Sequence, residues 1–325
     1  MMNKFDLSLA KRFVNDNSLP IPIINEELFN YWLDLYENDF HSKSKWDLLW
    51  SEINKYDNGD SESYLKHYYE TRENVINSIK NNPGFTKMDE LDMNKFKPVQ
   101  YPSAHKEFYK ATSCGDIYLS LDLTQANVQA FNYVAPEIFN GLSWEEYVHN
   151  FTEYKSIIHS KYFRSVVMGQ CNPGRHITIE RHMIDQIIKV IYDMTDEELS
   201  PYVVNSDEVI YNIMNGDYGP QEVMDFVEEI KSRLGFVVKP DMFILEKMQL
   251  FSNDVPVKDC VYYKKRALDG KIFQMKCVPE AYHSIVYKLE NNIRLIDNDY
   301  HFNYNGIDAV FNTNFTIKYV YNESD

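Results

Sequence analysis

Asp116-Ile117-Tyr118-Leu119-Ser120-Leu121-Asp122-Leu123-Thr124-Gln125 is the stretch on which the fold turns. Ile117, Leu119 and Leu121 alternate with Tyr118, Ser120 and Asp122. A period of two predicts a strand with one apolar face. A helix can follow from Thr124. Asp122 therefore sits where a strand gives way to a helix, and a carboxylate there projects at the rim of a sheet. Taken singly, Asp122 reads as an N-cap for that helix.

Downstream, Trp144 to Phe151 and Ile177 to Met194 have helical periodicity, the latter with Met183, Ile184, Ile187, Ile188 and Ile191 on one stripe. Pro201 ends that pattern. Tyr202 to Val204 and Val209 to Ile213 read as the arms of a hairpin, with Asn205-Ser206-Asp207-Glu208 as its turn. Asn215-Gly216-Asp217 predicts a further turn. Pro220 suits the first turn of a helix whose apolar face is Val223, Phe226, Val227, Ile230 and Leu234, with Gly235 as its C-cap. Met242 to Phe251 predicts another strand. Strand, helices, hairpin, helix and strand, with the helices on one face of an antiparallel sheet, make an α+β layer.

Three regions follow. Residues 1–110 read as a helical N-terminal region, with helices at Glu26 to Glu37, around Trp46 to Ile53 and at Tyr64 to Ile79. Asn81-Asn82-Pro83-Gly84 breaks the last of these, and Pro98 and Pro102 bracket an extended connector. Residues 111–251 form the core described above. Residues 252–325 read as β-rich, with strands at Cys260 to Lys264, Ile272 to Val278, His283 to Leu289 and Thr316 to Tyr321. Asn305-Gly306 marks a hairpin turn.

The composition, 44% hydrophobic and 15% aromatic over 325 residues, is that of a folded chain. The four cysteines contain no C-x-x-C pair, which argues against structural zinc and a disulfide framework. No apolar run approaches a membrane span and residues 1–20 have no signal-peptide core, so the expectation is a soluble protein of a reducing compartment such as the cytoplasm. The net charge is −16, from 49 acidic and 33 basic side chains. A nucleic-acid grip would have to be local on such a chain.

The chemistry rests on two acidic motifs. Turn acids such as Asp207 and Glu208 are ordinary when alone. A strand ending in Asp and a later hairpin with Asp at its tip can, however, lie side by side in one sheet. Two adjacent carboxylates repel unless one is protonated or a cation lies between them. A pair of divalent metals both resolves the repulsion and catalyses in-line phosphoryl displacement. Mg²⁺ needs only one or two protein carboxylates when phosphates and water supply the rest. No P-loop, dinucleotide-binding glycine motif, G-x-S-x-G or H-E-x-x-H is present. His41, His283 and His301 lack metal-ligand spacing. Tyr262, Tyr263 and Tyr282 read first as sheet core, with base stacking as the alternative.

Asp122-Leu123-Thr124-Gln125-Ala126-Asn127 resembles motif A of family A DNA polymerases, D-Y-S-Q-x-E, and Ser206-Asp207-Glu208 resembles their motif C, H-D-E. The order of the motifs also agrees. The resemblance implies a palm-like antiparallel sheet, with Asp122 and Asp207 as metal-binding aspartates and Glu208 as an auxiliary catalytic carboxylate. It implies two Mg²⁺ ions, with Mn²⁺ as an alternative. The implied partners are a nucleoside triphosphate and a nucleic acid primer and template. Gln125, Asn127, Lys161, Arg164, Arg175 and Arg181 are the nucleotide-binding candidates. The last four lie in His159 to His182, the counterpart of the fingers helix, which Met168 to Gly174 interrupts as a loop and which matches motif B only through Arg164 and Gly169. From Lys155 to Lys189 there are six Lys or Arg against two acids.

The departures are specific. Asp122 and Asp207 are 85 positions apart, too close for a complete fingers domain, and residues 1–110 show no proofreading exonuclease pattern. The expected function is a compact nucleotidyltransferase that extends a 3′-hydroxyl. A two-metal nuclease would carry the same carboxylates without a triphosphate clamp. The alternative from another class is a non-catalytic, viral-type binding or structural protein with a relic palm. The acid excess, the short fingers region and the β-rich C-terminal region favour it. In the nucleotidyltransferase reading, an accessory protein could supply the missing nucleic-acid grip. Asn127 stands where the family has the glutamate that gates against a 2′-hydroxyl, so sugar discrimination should be relaxed. Incorporation of ribo- against deoxyribonucleotides measures this, and a strong deoxy preference removes the inference.

Overall fold

The structure is a computed structural model that describes residues 5–22, 25–214, 216 and 218–320. Helices α1 (Leu7–Asp16), α2 (Glu26–Leu35), α3 (Glu37–Phe40), α4 (Ser42–Tyr56), α5 (Ser61–Lys80) and α6 (Pro83–Glu90) precede the first strand. Side chains of Asp6, Asn25, Asp60 and Asn82 accept backbone N–H groups at the starts of α1, α2, α5 and α6. Asn82-Pro83 thus ends one helix and begins the next. An irregular connector from about 97 to 116 leads to β1 (Ile117–Leu123).

Next come α7 (Ala126–Val134), α8 (Trp144–His149), α9 (Lys155–Ile158), α10 (Lys161–Gly169), α11 (Pro173–Met194), the hairpin β2 (Pro201–Val204) and β3 (Glu208–Asn212), and α12 (Pro220–Leu234). Pro220 is the first residue of α12, and Gly235 closes it at φ 73°, a conformation that costs a residue with Cβ. The turn expected at Asn215-Gly216-Asp217 falls partly outside the described residues. β4 (Val238–Ser252) and β5 (Val255–Ala267) follow, then β6 (Ile272–Lys276), α13 (His283–Glu290), β7 (His301–Tyr304), β8 (Ile307–Val310) and β9 (Phe315–Tyr319). Asn305 and Gly306 both have positive φ, as a two-residue hairpin loop between β7 and β8 requires.

The sheet runs β2-β3-β1-β4-β5-β6, and β9 pairs β4 beyond the end of β1. Every pairing in it is antiparallel. The fold is α+β, as expected, with the helices concentrated before α13 and the strands toward the C-terminus. The boundary expected after residue 251 falls at the turn between β4 and β5, which belong to one continuous sheet.

The alternation that predicts β1 also sorts its two faces. Leu119, Leu121 and Leu123 join Val209, Tyr211 and Val238 in the main core, against α7, α11 and α12. Helix α11 carries much of that core, with Ile179, Met183, Ile184, Ile187, Ile188 and Ile191 all fully buried. Full burial of each such side chain stabilises by roughly 1.5–3 kcal/mol. The N-terminal helices share the same core through Trp32, Leu49 and Ile76, among others. On the other face, Tyr118, Val203, Ile210, Phe243 and Leu245 pack with Phe108 of the connector, and no α-helical residue joins them. Among the described residues no helix is long and apolar enough to cross a membrane.

One element differs from expectation. His283 to Leu289 is helix α13, not a strand. Its β-branched Ile285 and Val286 suggest a strand, but with Leu289 they form a helical stripe packed beside Met248, Tyr262 and Phe315. Lys288 of the same helix also meets buried Asp299 at 2.8 Å. The segment His159 to His182 is interrupted within Met168 to Gly174, as expected. It breaks between Gly169 and Pro173, with Asn172 at φ 57°. Proline disfavours the helical region for its predecessor, and Asn tolerates the left-handed one. Ile188→Ala should lower unfolding free energy by about 2–5 kcal/mol in urea titration; a loss below ~1 kcal/mol would contradict the central place of α11.

Candidate active site

The register of β1 places the acids. Asp122 is directly opposite Glu208 on β3 and Lys239 on β4. It shares the face of Tyr118 and Ser120, the one that no helix covers. Directly opposed residues of an antiparallel pair have Cβ atoms about 4.5–5.5 Å apart. The ladder continues one step further, since the Leu123 N–H donates to the Asp207 carbonyl at 2.8 Å. The three acids thus converge at one rim, where the strand β1 ends and the β2–β3 hairpin turns.

The strand end is fixed by its neighbours. Thr124 N–H donates to the Val237 carbonyl at 3.0 Å, and Gln129 bridges Thr124 and Val237 through its side-chain amide. Gln125 adopts φ 52°, and α7 starts after it. Asp122 is therefore not the cap of that helix. The hairpin is tied from the other side: Arg181 of α11 donates to the carbonyls of Asn205 and Val99 and pairs with Asp185.

Electrostatics separates the three acids. Burial pushes the Asp122 carboxyl up to about 6, and Asp207 and Glu208 add to the rise, while Lys161 and Lys239 oppose it. Asp207 is exposed, and its Oδ1 accepts from the neighbouring Ser206 hydroxyl at 3.3 Å. Glu208 is held on three sides. Ser120 Oγ donates to it at 2.6 Å, Asn205 Nδ2 donates at 3.1 Å, and Lys265 Nζ lies 3.7 Å away. Lys265 is buried, its ammonium 4.5 Å from the centre of the Phe243 ring. Burial lowers its pKa, and Glu208 opposes that fall.

Neither Asp122 nor Asp207 has an ion pair among the described residues, and both retain oxygen lone pairs for a cation. Glu208 is already neutralised by Lys265. No three His, Cys, Asp or Glu side chains among the described residues form a closed metal cage. The donor set thus fits an ion that takes two carboxylates and completes its shell with water and phosphate.

The basic candidates divide. Lys161, exposed at the first position of α10, is near enough to Asp122 to lower its pKa. Arg164, one turn on, is half-buried, and Glu145 is the charge it feels. Gln125 Nε2 also donates to Glu145, at 2.9 Å. Asn127 lies in the first turn of α7, its Oδ1 accepting from the Val128 N–H. Arg175 instead donates to the carbonyls of Met88 and Leu91, which joins α11 to α6. Arg175 and Arg181 are both engaged with backbone carbonyls within the fold.

Lys265, Ser120, Lys239 and Gln129 are parts of this site that motif reading misses. Alternation places Ser120 on the face of Asp122, but only strand register brings Lys239 and Lys265 to it. Tyr262 is buried core and Tyr282 stacks on Phe311, whereas Tyr263 is half-buried on the open face. Comparison of the chain with protein-family models, curated proteins and solved structures found no match.

The raised pKa of Asp122 fixes a sign. Its ionised form is disfavoured in the folded state, so the penalty is present above about pH 6 and fades as pH falls toward the unfolded value of 3.8. In metal-free buffer, Asp122→Asn should be more stable than wild type at pH 8, by on the order of 1 kcal/mol after solvent screening. Urea titrations at several pH values should show that difference disappear below about pH 4.

Proposed function

We propose that the chain is a nucleotidyltransferase that extends a 3′-hydroxyl, with a palm-like core and reduced fingers. The observation that carries this reading is the convergence of Asp122, Asp207 and Glu208 at one rim of an antiparallel sheet. Mg²⁺ ions, when bound, would supply activation of the attacking hydroxyl and charge stabilisation at the leaving phosphate. Asp122 and Asp207 would hold them. Glu208, kept in place by Ser120, Asn205 and Lys265, positions the hairpin rather than binding metal in this arrangement. Lys161, whose charge reaches Asp122, and Arg164 one turn on would meet a triphosphate in this reading. Gln125 fixes the start of α7 through Glu145, and Asn127, in the first turn of α7, would contact the incoming sugar in this reading. Arg175 and Arg181 hold α11 to α6 and to the β2–β3 hairpin, and so maintain the geometry.

A two-metal nuclease is the second reading. The engagement of Arg175 and Arg181 within the fold favours it, because it leaves a smaller triphosphate clamp. A labelled primer on a template, incubated with Mg²⁺ or Mn²⁺ and nucleoside triphosphates, separates these readings by lengthening or shortening. Asp122→Asn and Asp207→Asn should each lower extension by roughly 100-fold or more, in the range seen when a main electrostatic group is lost. Extension that survives both substitutions would sink the two-metal mechanism, whereas neither lengthening nor shortening by the wild type would leave the relic-palm reading.

A further inference from the structure

The open face of the sheet continues well past the carboxylates, and its chemistry changes along the way. Antiparallel register sets Lys247, Tyr263 and Lys276 side by side across β4, β5 and β6. One step further along β4, Gln249 faces Lys318 of β9. Lys318 Nζ lies 4.5 Å from the centre of the Phe251 ring and 3.4 Å from exposed Asp254. From Phe243 onward, the paired positions on this face of β4, β5, β6 and β9 contain no Asp or Glu. Glu246 and Glu290 lie on the helix-covered side, where Lys264 and Arg266 pair with them. The sheet therefore sorts charge by face.

Lys247 and Lys276 have no carboxylate within salt-bridge distance among the described residues. On a chain with net charge −16, two lysines left without acidic partners and aligned across three strands make a local cationic surface. Two half-buried rings, Tyr109 of the connector and Tyr263 of β5, lie 5.9 Å apart beside them. Lys110 of the same connector adds a further ammonium, over the Tyr202 ring. Ammonium groups interleaved with flat aromatic rings suit a ligand that has both a phosphate backbone and unpaired base faces. A duplex hides its base faces, and an acidic peptide has none. The surface joins the carboxylate rim through Lys265, which lies two residues from Tyr263 and 3.7 Å from Glu208.

We propose that the open face of β4, β5, β6 and β9 is a track for single-stranded nucleic acid that ends at Asp122 and Asp207. The direction of the track rests on the nucleotidyltransferase reading; the binding itself does not. The test uses the full chain in metal-free, low-salt buffer, with fluorescently labelled oligothymidylate and oligouridylate followed by anisotropy. Wild type should bind, with log affinity falling linearly in log salt by about 0.7 per phosphate contact. Lys247→Gln with Lys276→Gln should weaken binding about tenfold or more and flatten that slope by roughly 1.4. Tyr263→Ala should weaken binding and Tyr263→Phe should restore it, since the ring and not the hydroxyl stacks. Lys66→Gln, an exposed site on α5, should change nothing. Thermal melts of the same samples identify any variant that has lost its fold, and the milder single glutamine variants then replace it.

The proposal is overturned if the double variant binds like wild type. It is equally overturned if blunt duplex, oligoglutamate or anionic phosphatidylserine vesicles bind as tightly as the single strands. The two readings fail separately. Strand binding through Lys247 and Lys276 without metal-dependent extension keeps the track and removes the transferase. Extension that depends on Asp122, with lysine variants binding normally, keeps the transferase and removes the track.

Discussion

Asp122 and Glu208 face each other across the β1–β3 ladder, and like charges so placed repel. Much of the surrounding structure makes this opposition tolerable. Ser120 and Asn205 donate to Glu208 from the same sheet and from the hairpin turn. Lys265 supplies a buried positive charge from a strand two positions away from β1. What remains unbalanced is Asp122, whose carboxyl is raised by burial and by its two acidic neighbours. The centre thus neutralises one acid internally and leaves two others without an ion pair among the described residues.

The placement of that site depends on packing far from it. Leu119, Leu121 and Leu123 bind β1 to the helix layer, so their alternating partners must face the other way. A one-residue slip in β1 would bury the carboxylate in that core and expose the leucines. The register is thus held by the apolar face, and the polar face inherits its geometry. Arg181 makes a second link, from α11 to the carbonyl of Asn205 in the hairpin turn. Arg175 does the same for α6. Arginines that motif reading assigns to a ligand serve here to join elements, because their carbonyl partners come from segments remote in sequence.

Local periodicity made the sheet core and most helices legible. The alternation of Ile117, Leu119 and Leu121, the isoleucine stripe of α11 and the Pro220 to Gly235 frame all describe elements that form. α13 was not legible, since Ile285 and Val286 suit a strand locally and become helical through contacts with β5 and β9. The break at Asn172-Pro173 was legible, because Gly169, Pro173 and Gly174 mark it as a loop. Of the site, motif order placed Asp122 near Asp207 and Glu208. Lys239 and Lys265 stayed hidden because only cross-strand register brings them there. The cationic face was hidden for the same reason: Lys247, Lys276 and Lys318 are scattered in sequence and aligned only by pairing.

β4 pairs β1 along its first half and β9 along its second, so the first and last strands of the sheet share one edge. During synthesis from the N-terminus, β1 and β3 are made before Lys265 of β5. The opposed acids then have only Ser120 and Asn205 as partners. A nascent chain therefore holds its acidic centre in an uncompensated state, and the finished edge with β9 arrives last. Electrostatic completion of the centre is in this way tied to translation reaching the C-terminal third of the chain.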